Sequence, residues 1–256
     1  MREVPAYKII FEKSPQHPYL LVIPVINEGE RISILLDRIE LIKEKEFDVL
    51  IVDGGSTDGS LDKVRDQGVD TLLLKTGPGK LSAQLRCAYA YGLDKGYKGI
   101  VTIDGNNKDD PEAIPSFIGK LKEGYDFVQA SRFLPGGKQV NTPRIREVAI
   151  KLIHAPLLSI FSGFHWTDTT QGFRAYSRKM LESEEIDIFR DVFSNYELLA
   201  YLSYIAPKKE FKCVEIPTSR VYPEGEAPTK ISFLRGNFEV LLTLFKTIAG
   251  TYNKKK

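Results

Sequence analysis

Short apolar runs alternate with longer stretches of helical periodicity between about residues 20 and 133. The runs are continuous rather than alternating, as in strands that are covered on both faces of a parallel sheet. Five of them can be read: LLVIPVI (20–26), DVLIVDGG (48–55), TLLLK (71–75), GIVTIDG (99–105) and DFVQASRF (126–133). The pattern predicts an α/β fold with a mostly parallel central sheet and helices on both faces.

The pattern changes after residue 134 to longer apolar stripes at helical spacing. Three segments show it: 144–164, 193–205 and 233–249. Pro156 is expected to interrupt the first of these helices, because proline lacks an amide hydrogen. KCVEIPTSRVY, which precedes the third segment, predicts a further strand.

No linker rich in glycine, proline or serine divides the chain, so we expect one domain over residues 1–256. Its halves are about 20–133 and about 134–256, the second with a C-terminal helical extension. The 36 basic and 34 acidic side chains leave a net charge of +2, which predicts no nucleic-acid partner. Cys87 and Cys213 are too far apart in sequence to form a CxxC metal-binding pair.

No run of about 18 uncharged apolar residues is present, so no membrane-spanning helix is predicted. The first residues lack the apolar core of a secretory signal. We therefore expect a cytoplasmic protein, with peripheral attachment to the cytoplasmic face of a membrane as an alternative. The stripe over 144–164 fits either a bilayer surface or core packing.

Ligands of parallel sheets bind beyond the carboxyl ends of the strands, so the residues there are the first candidates. Glu28, close after Pro24, either accepts hydrogen bonds from a nucleoside or begins the next helix. Asp53 is available to a nucleobase, while Ser56–Asp58 are expected to cap a helix. Lys80 in TGPGKLSAQ is available to an anion, although the glycine spacing is not that of a phosphate loop.

The stretch TIDGNNKDDP, residues 102–111, raises the question of a metal site. Asp110 before Pro111 is explained as a helix cap. The spacing does not fit a calcium-binding EF-hand. Asp104 and Asn106 remain, a carboxylate and an amide carbonyl, which suit a magnesium site that a ligand's phosphate oxygens would complete.

The motifs at successive strand ends resemble those of the family 2 glycosyltransferases. In order they are NEGERI, VDGGSTDGS, the aspartate-rich turn, ASRF, DTTQGFRAYSR and EIPTSRVYPEGEAPTKIS. The nearest branch contains dolichyl-phosphate mannosyltransferase and other polyprenyl-phosphate glycosyltransferases. The resemblance implies a GT-A fold that moves a sugar, with inversion, from a UDP or GDP donor. The implied acceptor is a polyprenyl phosphate or a saccharide, in cell-envelope glycan synthesis.

The resemblance also assigns roles by position, with the first half binding the nucleotide sugar and the second half the acceptor. It implies that Pro24, Glu28, Asp53, Asp104 and Lys230 bind the nucleotide, and Lys80 at its predicted helix start is added to this set. Mg²⁺ or Mn²⁺ would be held by Asp104 and Asn106. Gln171 and Arg174 would contact the sugar or the acceptor, and either Arg144 or Arg146 would hold an acceptor phosphate. Arg220 is a further candidate for acceptor or sugar binding. The catalytic candidates are Asp104, Asp168, Arg132 and Glu197.

A protein base is needed only for some acceptors. A lipid phosphate is already anionic, whereas a sugar hydroxyl must lose a proton, for which Asp168 and Glu197 are the candidates. Their alternative roles are a loop cap and an ion-paired helix residue. Two other functions stay open: a nucleotide-sugar-binding protein with little turnover, suggested by Asn106, and a sugar nucleotidyltransferase. PVINEGE contains one glycine, which disfavours the latter.

Overall fold

The computed structural model describes residues 2–62, 64–223 and 235–254. Their ten strands are β1 (Tyr7–Glu12), β2 (Tyr19–Val25), β3 (Phe47–Asp53), β4 (Thr71–Lys75), β5 (Gly99–Thr102), β6 (Phe127–Ser131), β7 (Lys138–Val140), β8 (Arg174–Ser177), β9 (Cys213–Pro217) and β10 (Ser219–Val221). Eight of them form one sheet in the order β1-β4-β3-β2-β5-β8-β6-β9. β7 and β10 form a separate parallel pair.

The α/β prediction is confirmed, with β2, β3, β4 and β5 parallel to one another. β8 lies antiparallel between β5 and β6, and β9 runs parallel to β6. β1 was not predicted, and it adds to the sheet edge antiparallel to β4. The prediction of one strand over KCVEIPTSRVY is wrong, because the segment is divided at Thr218 between the two sheets.

The helices are α1 (Glu30–Glu40), α2 (Leu81–Asp94), α3 (Ile114–Lys122), α4 (Arg144–Ala149), α5 (Ala155–Ser162), α6 (Arg178–Leu181), α7 (Glu197–Lys208) and α8 (Arg235–Ile248). A π-helical segment, Ile150–His154, joins α4 to α5. Pro156 then lies in the first turn of α5, where a missing amide hydrogen costs little. The predicted break is therefore replaced by a local widening of a continuous helical run.

The sheet separates two apolar cores. Leu20 and Val22 of β2 belong to one core and Leu21 and Ile23 to the other, because successive side chains of a strand alternate between faces. The first core also contains side chains of α2 and α7, and the second contains those of α1 and α3. None of the helices in the described ranges has the length and hydropathy that a membrane-spanning helix requires.

Glu215 in β9 ties the loop before β8 to the sheet. Its Oε2 accepts hydrogen bonds from the main-chain N and the Oγ1 of Thr167, both at 2.8 Å. Its Oε1 accepts another from the main-chain N of Asp168 at 2.9 Å. Burial outweighs these hydrogen bonds and raises the pKa of Glu215 to about 7.

We predict that the native chain loses stability relative to a Glu215→Gln variant as the pH rises. Folding favours protonated Glu215, so the contribution is complete below the ordinary pKa of 4.5 and is lost as the pH passes about 7. From about pH 5 to about pH 8.5, the unfolding free energy of the native chain minus that of the variant should fall by about 2 kcal/mol. Chemical denaturation at each pH measures this difference.

Glu210→Gln provides the control, because it makes the same chemical change at an exposed side chain. His154 acts in the opposite sense, since burial lowers its pKa to about 4. His154 is present in both the native chain and the variant, so its contribution to the pH dependence of stability cancels in the comparison. A pH-independent difference for Glu215→Gln would contradict the prediction.

Candidate functional site

The loops after β2 and β3 are joined by hydrogen bonds at the carboxyl edge of the sheet. Asp53 accepts hydrogen bonds from the main-chain N of Ser56 at 2.9 Å and from its Oγ at 2.7 Å. Asn27 donates its main-chain N–H to Ser56 Oγ at 3.0 Å, and its Oδ1 accepts from Thr57 N at 2.8 Å. The prediction that residues 56–58 cap a helix is wrong, since no α-helix of the described residues begins there. Asp53 instead organises its own loop.

The side-chain amide of Gln84 in α2 links the carboxyl ends of β2 and β3. Its Nε2 donates to the carbonyl oxygens of Val25 and Val52, at 3.0 and 2.9 Å. A Cβ on Gly54 would lie 3.1 Å from that Nε2, so this position leaves little room for a side chain. The buried amide therefore favours glycine at residue 54.

The other predicted nucleotide-binding residues lie along the same edge. Pro24 is paired with Val52 inside the sheet. Glu28 is largely buried, and its Oε2 lies 3.4 Å from Nη1 of Arg31. Lys80 is exposed immediately before α2. Lys230 lies outside the described residues.

Asp104 follows β5 with its side chain 24% exposed, and its Oδ2 lies 3.3 Å from Nη2 of Arg220. Asn106 Oδ1 accepts a hydrogen bond from Lys108 N at 3.2 Å. Within the described ranges, no group of three or more His, Cys, Asp or Glu side chains is arranged to hold a metal. The donor set of one carboxylate and one amide fits Mg²⁺ or Mn²⁺ only together with oxygens from a ligand.

The main chain at Gly172 lies close to the carboxylate of Asp104. A Cβ at this position would clash with Asp104 Oδ1 and would lie 3.0 Å from Asp104 Cγ. A side chain at residue 172 would therefore require the Asp104 carboxylate to move from its present position. Nothing in the local sequence QGFR, residues 171–174, predicts the contact between Gly172 and Asp104.

Arg132 and Asp168 form a fully buried ion pair. Arg132 Nε donates to Asp168 Oδ2 at 2.7 Å, and Nη2 donates to Oδ1 at 3.1 Å. Thr170 and Gln171 donate further hydrogen bonds to the carboxylate. Burial alone would raise the pKa of Asp168, but the guanidinium and these hydrogen bonds outweigh it and lower the pKa.

A second buried pair joins the aspartate-rich turn to β10. Arg220 Nη1 donates to both oxygens of Asp109, at 2.6 and 2.5 Å, while its Nη2 faces Asp104. Burial raises the pKa of Asp109 despite the guanidinium. Sequence reasoning missed Asp109, although two aspartates stand before Pro111 and only Asp110 was needed as the cap, which the structure confirms.

A third guanidinium, that of Arg146, lies in the same region. Burial lowers its pKa, and the charges of Arg220 and Arg132 lower it further. Arg144 is exposed at the start of α4. Three guanidinium groups therefore lie close enough to act on one another, and two of them are already paired, with Asp168 and Asp109. Such a region is suited to phosphate oxygens.

Two of the predicted site residues have main-chain partners. Arg174 donates to three carbonyl oxygens, those of Gln171, Leu199 and Thr169, at 2.7 to 2.9 Å. Glu197 accepts from the main-chain N–H groups of Ser194 and Asn195, at 3.1 and 2.5 Å. These contacts hold the loops before β8 and α7.

Comparison with known proteins agrees with this architecture. The model of Glycosyl transferase family 2 matches residues 20–184. The chain is 30% identical over 214 residues to undecaprenyl-phosphate mannosyltransferase of Micrococcus luteus, covering 81% of this chain and 86% of that protein. Polyprenol monophosphomannose synthase of Mycolicibacterium smegmatis is 29% identical over 211 residues, with coverages of 79% and 77%.

Solved structures share the fold at lower identity. Glucosyl-3-phosphoglycerate synthase from Mycobacterium tuberculosis, in complex with Mg²⁺ and UDP, is 18% identical, with a TM-score of 0.67 over 91% of this chain and 80% of that one. The same enzyme with Mn²⁺, UDP and glucosyl-3-phosphoglycerate gives a TM-score of 0.63, with coverages of 91% and 81%. The fold is therefore of the GT-A type, and the chain belongs to glycosyltransferase family 2.

Proposed function

We propose that this enzyme transfers a sugar, with inversion, from a UDP or GDP donor to the phosphate of a polyprenyl phosphate. The observation that carries the proposal is the group of three interacting guanidiniums, those of Arg132, Arg146 and Arg220, of which Arg220 lies 3.3 Å from Asp104. Guanidinium groups bind phosphate oxygens well, and a buried group of them attracts an anionic acceptor. The mannosyltransferases named above act, by their names, on such lipids.

An anionic acceptor also agrees with the hydrogen bonding of the candidate bases. The carboxylate of Asp168 accepts hydrogen bonds from Arg132, Thr170 and Gln171. The carboxylate of Glu197 accepts hydrogen bonds from the main-chain N–H groups of Ser194 and Asn195, in the loop before α7. A phosphate oxygen needs no base, because it attacks the sugar carbon as an anion while the bond from that carbon to the diphosphate breaks. The electron pair leaves with the diphosphate. We propose that Asp168 positions Arg132.

The leaving diphosphate requires positive charge at the carboxyl edge of the sheet. We propose that Asp104 and Asn106 hold Mg²⁺ or Mn²⁺ together with donor phosphate oxygens. The ion would supply Lewis-acid stabilisation of the leaving group. Arg220 lies 3.3 Å from Asp104 and adds a fixed cation on the same side.

In this proposal the two halves of the chain bind different substrates. Residues 20–133 bind the nucleotide sugar, and residues 134–256 receive the acceptor. Side chains of α4, the π-helical segment and α5 form an exposed apolar surface, made of Ile145, Val148, Leu152, Ile160 and Phe161. With the exposed Arg144 at its start, this surface suits the interface of a membrane that contains anionic lipids. We propose that it lies on the cytoplasmic face of the membrane that carries the acceptor.

We predict glycosyl transfer to undecaprenyl phosphate presented in vesicles, with Mn²⁺ and a nucleoside diphosphate sugar. Undecaprenol without its phosphate is the matched acceptor, and it should yield at least about 100-fold less product, because the anion that the guanidiniums bind is missing. Quantified glycolipid and released nucleotide measure transfer. Co-sedimentation with the vesicles measures the membrane contact. Equal transfer to free saccharide, or none to the lipid phosphate, would contradict the proposal.

A second prediction concerns the metal ligands. Asp104→Ala should weaken Mn²⁺-dependent nucleotide binding by about 100-fold or more, because the one carboxylate of the donor set is removed. Asn106→Asp should keep or improve it, because a carboxylate is a stronger ligand than an amide. Calorimetry with GDP and UDP, each with and without Mn²⁺, measures both effects.

Asn107→Asp is the matched control for the second substitution. Asn107 belongs to the same loop, but its Oδ1 accepts a hydrogen bond from Arg38 at 3.0 Å. The same added charge should leave the metal dependence unchanged. A clear loss of binding in Asn106→Asp, or an equal gain in Asn107→Asp, would rule out the assigned ligands.

A third prediction uses the contact between Gly172 and Asp104. Gly172→Ala should displace the Asp104 carboxylate and reduce Mn²⁺-dependent nucleotide binding by about 100-fold, as small misplacements of a reacting group can do. Gly119→Ala in α3 is the control, because its added methyl group meets no atom within 4 Å. Calorimetry and thermal melting separate loss of binding from loss of folding. Unchanged binding in Gly172→Ala would show that Asp104 is not a ligand.

A further inference from the structure

Tyr222 follows β10 and is only 2% exposed. Its main-chain N donates to the carbonyl oxygen of Val140 at 3.0 Å, and its own carbonyl oxygen accepts from Asn141 Nδ2 at 3.1 Å. Two cations lie against its ring, with Lys108 Nζ at 5.1 Å and Arg220 Cζ at 5.7 Å from the ring centroid. These contacts fix the ring of Tyr222 beside the guanidinium group of Arg220.

The hydroxyl of Tyr222 is buried, and its O–H has no acceptor within the part of the chain that the structure describes, because the neighbouring Arg220 can only donate to it. Arg132 Nη1 is a second buried donor that lacks a partner there. A buried donor without an acceptor is costly, so such groups usually have a ligand or water as partner. The two donors are close enough for the charge of Arg132 to act on the Tyr222 hydroxyl.

The charges around the hydroxyl indicate the kind of partner. Burial alone would raise the pKa of Tyr222, but the positive charges of Arg220, Arg146 and Arg132 outweigh it and lower the pKa. The hydroxyl thus lies in a positive field, and its missing partner is an acceptor. An oxyanion satisfies both the donor and the field.

We propose that Tyr222 donates a hydrogen bond from its hydroxyl to a phosphate oxygen of a substrate, beside the guanidiniums of Arg132 and Arg146. The inference rests on the proposed function, since the acceptor phosphate and the donor diphosphate are the two sources of such an oxygen. Tyr222 is therefore a substrate-binding residue that neither the motifs nor the spacing of charged residues reveals.

Tyr222→Phe tests the proposal, because it removes one oxygen and keeps the ring between its cations. Tyr176→Phe is the matched control: Tyr176 is also fully buried with an unpartnered hydroxyl, but it stacks on Phe127 in the first core. Thermal melting of both variants shows that they are folded. We expect Tyr176→Phe to have the kinetic constants of the native chain.

Steady-state transfer distinguishes the two phosphates. A rise of about tenfold in the KM for undecaprenyl phosphate, with the donor KM unchanged, places the hydroxyl on the acceptor. A similar rise in the donor KM alone places it on the diphosphate. Unchanged values for both substrates in Tyr222→Phe would overturn the inference, as would equal losses in Tyr176→Phe.

Binding without turnover separates this inference from the proposed function. Calorimetry with GDP and Mn²⁺, and separately with inorganic phosphate, requires no transfer. If the native chain transfers no sugar, the proposed function fails. A weaker affinity of Tyr222→Phe for either anion would still support the hydrogen bond, and unchanged affinities for both would then overturn it.

Discussion

The pairing of buried arginines with buried aspartates is the interaction on which the site depends. Arg132 with Asp168, and Arg220 with Asp109, are both almost fully removed from solvent. Removing one partner of such a pair leaves an uncompensated buried charge and costs about 3–5 kcal/mol. Each pair joins segments that are distant in sequence: one holds the loop after β5 to β10, and the other holds the loop after β6 to the loop before β8.

The same pairs explain how the site favours phosphates. Each aspartate neutralises one arginine, but each guanidinium retains donors beyond those that its carboxylate uses, such as Arg220 Nη2 toward Asp104. Arg146 adds a positive charge that lacks a matching carboxylate in either pair. The charge that remains after pairing is positive and lies in a partly buried region. Electrostatic interactions are stronger in such a region than in water. Anionic substrates supply the balancing charge.

The sequence predicted the parts of this structure that depend on local pattern. The continuous apolar runs of β2 to β6 and the cap at Asp110 are confirmed, because burial on both faces and helix capping leave local signatures. β1 was missed because it is an edge strand with exposed isoleucines. Asp109 and Gly172 act through residues about 110 and 70 positions away, and no local pattern records such contacts.

The charge balance also bears on Asn106, where a second carboxylate would ordinarily strengthen a metal site. Asp104 faces Arg220. On the proposed function, a metal ion would share this carboxylate with the guanidinium, and neither would be fully neutralised by it. A neutral amide at residue 106 keeps the site short of negative charge until the donor diphosphate arrives. On the proposed function, the substrate's own charge completes the site. Metal and nucleotide then bind cooperatively, because each removes an electrostatic cost for the other.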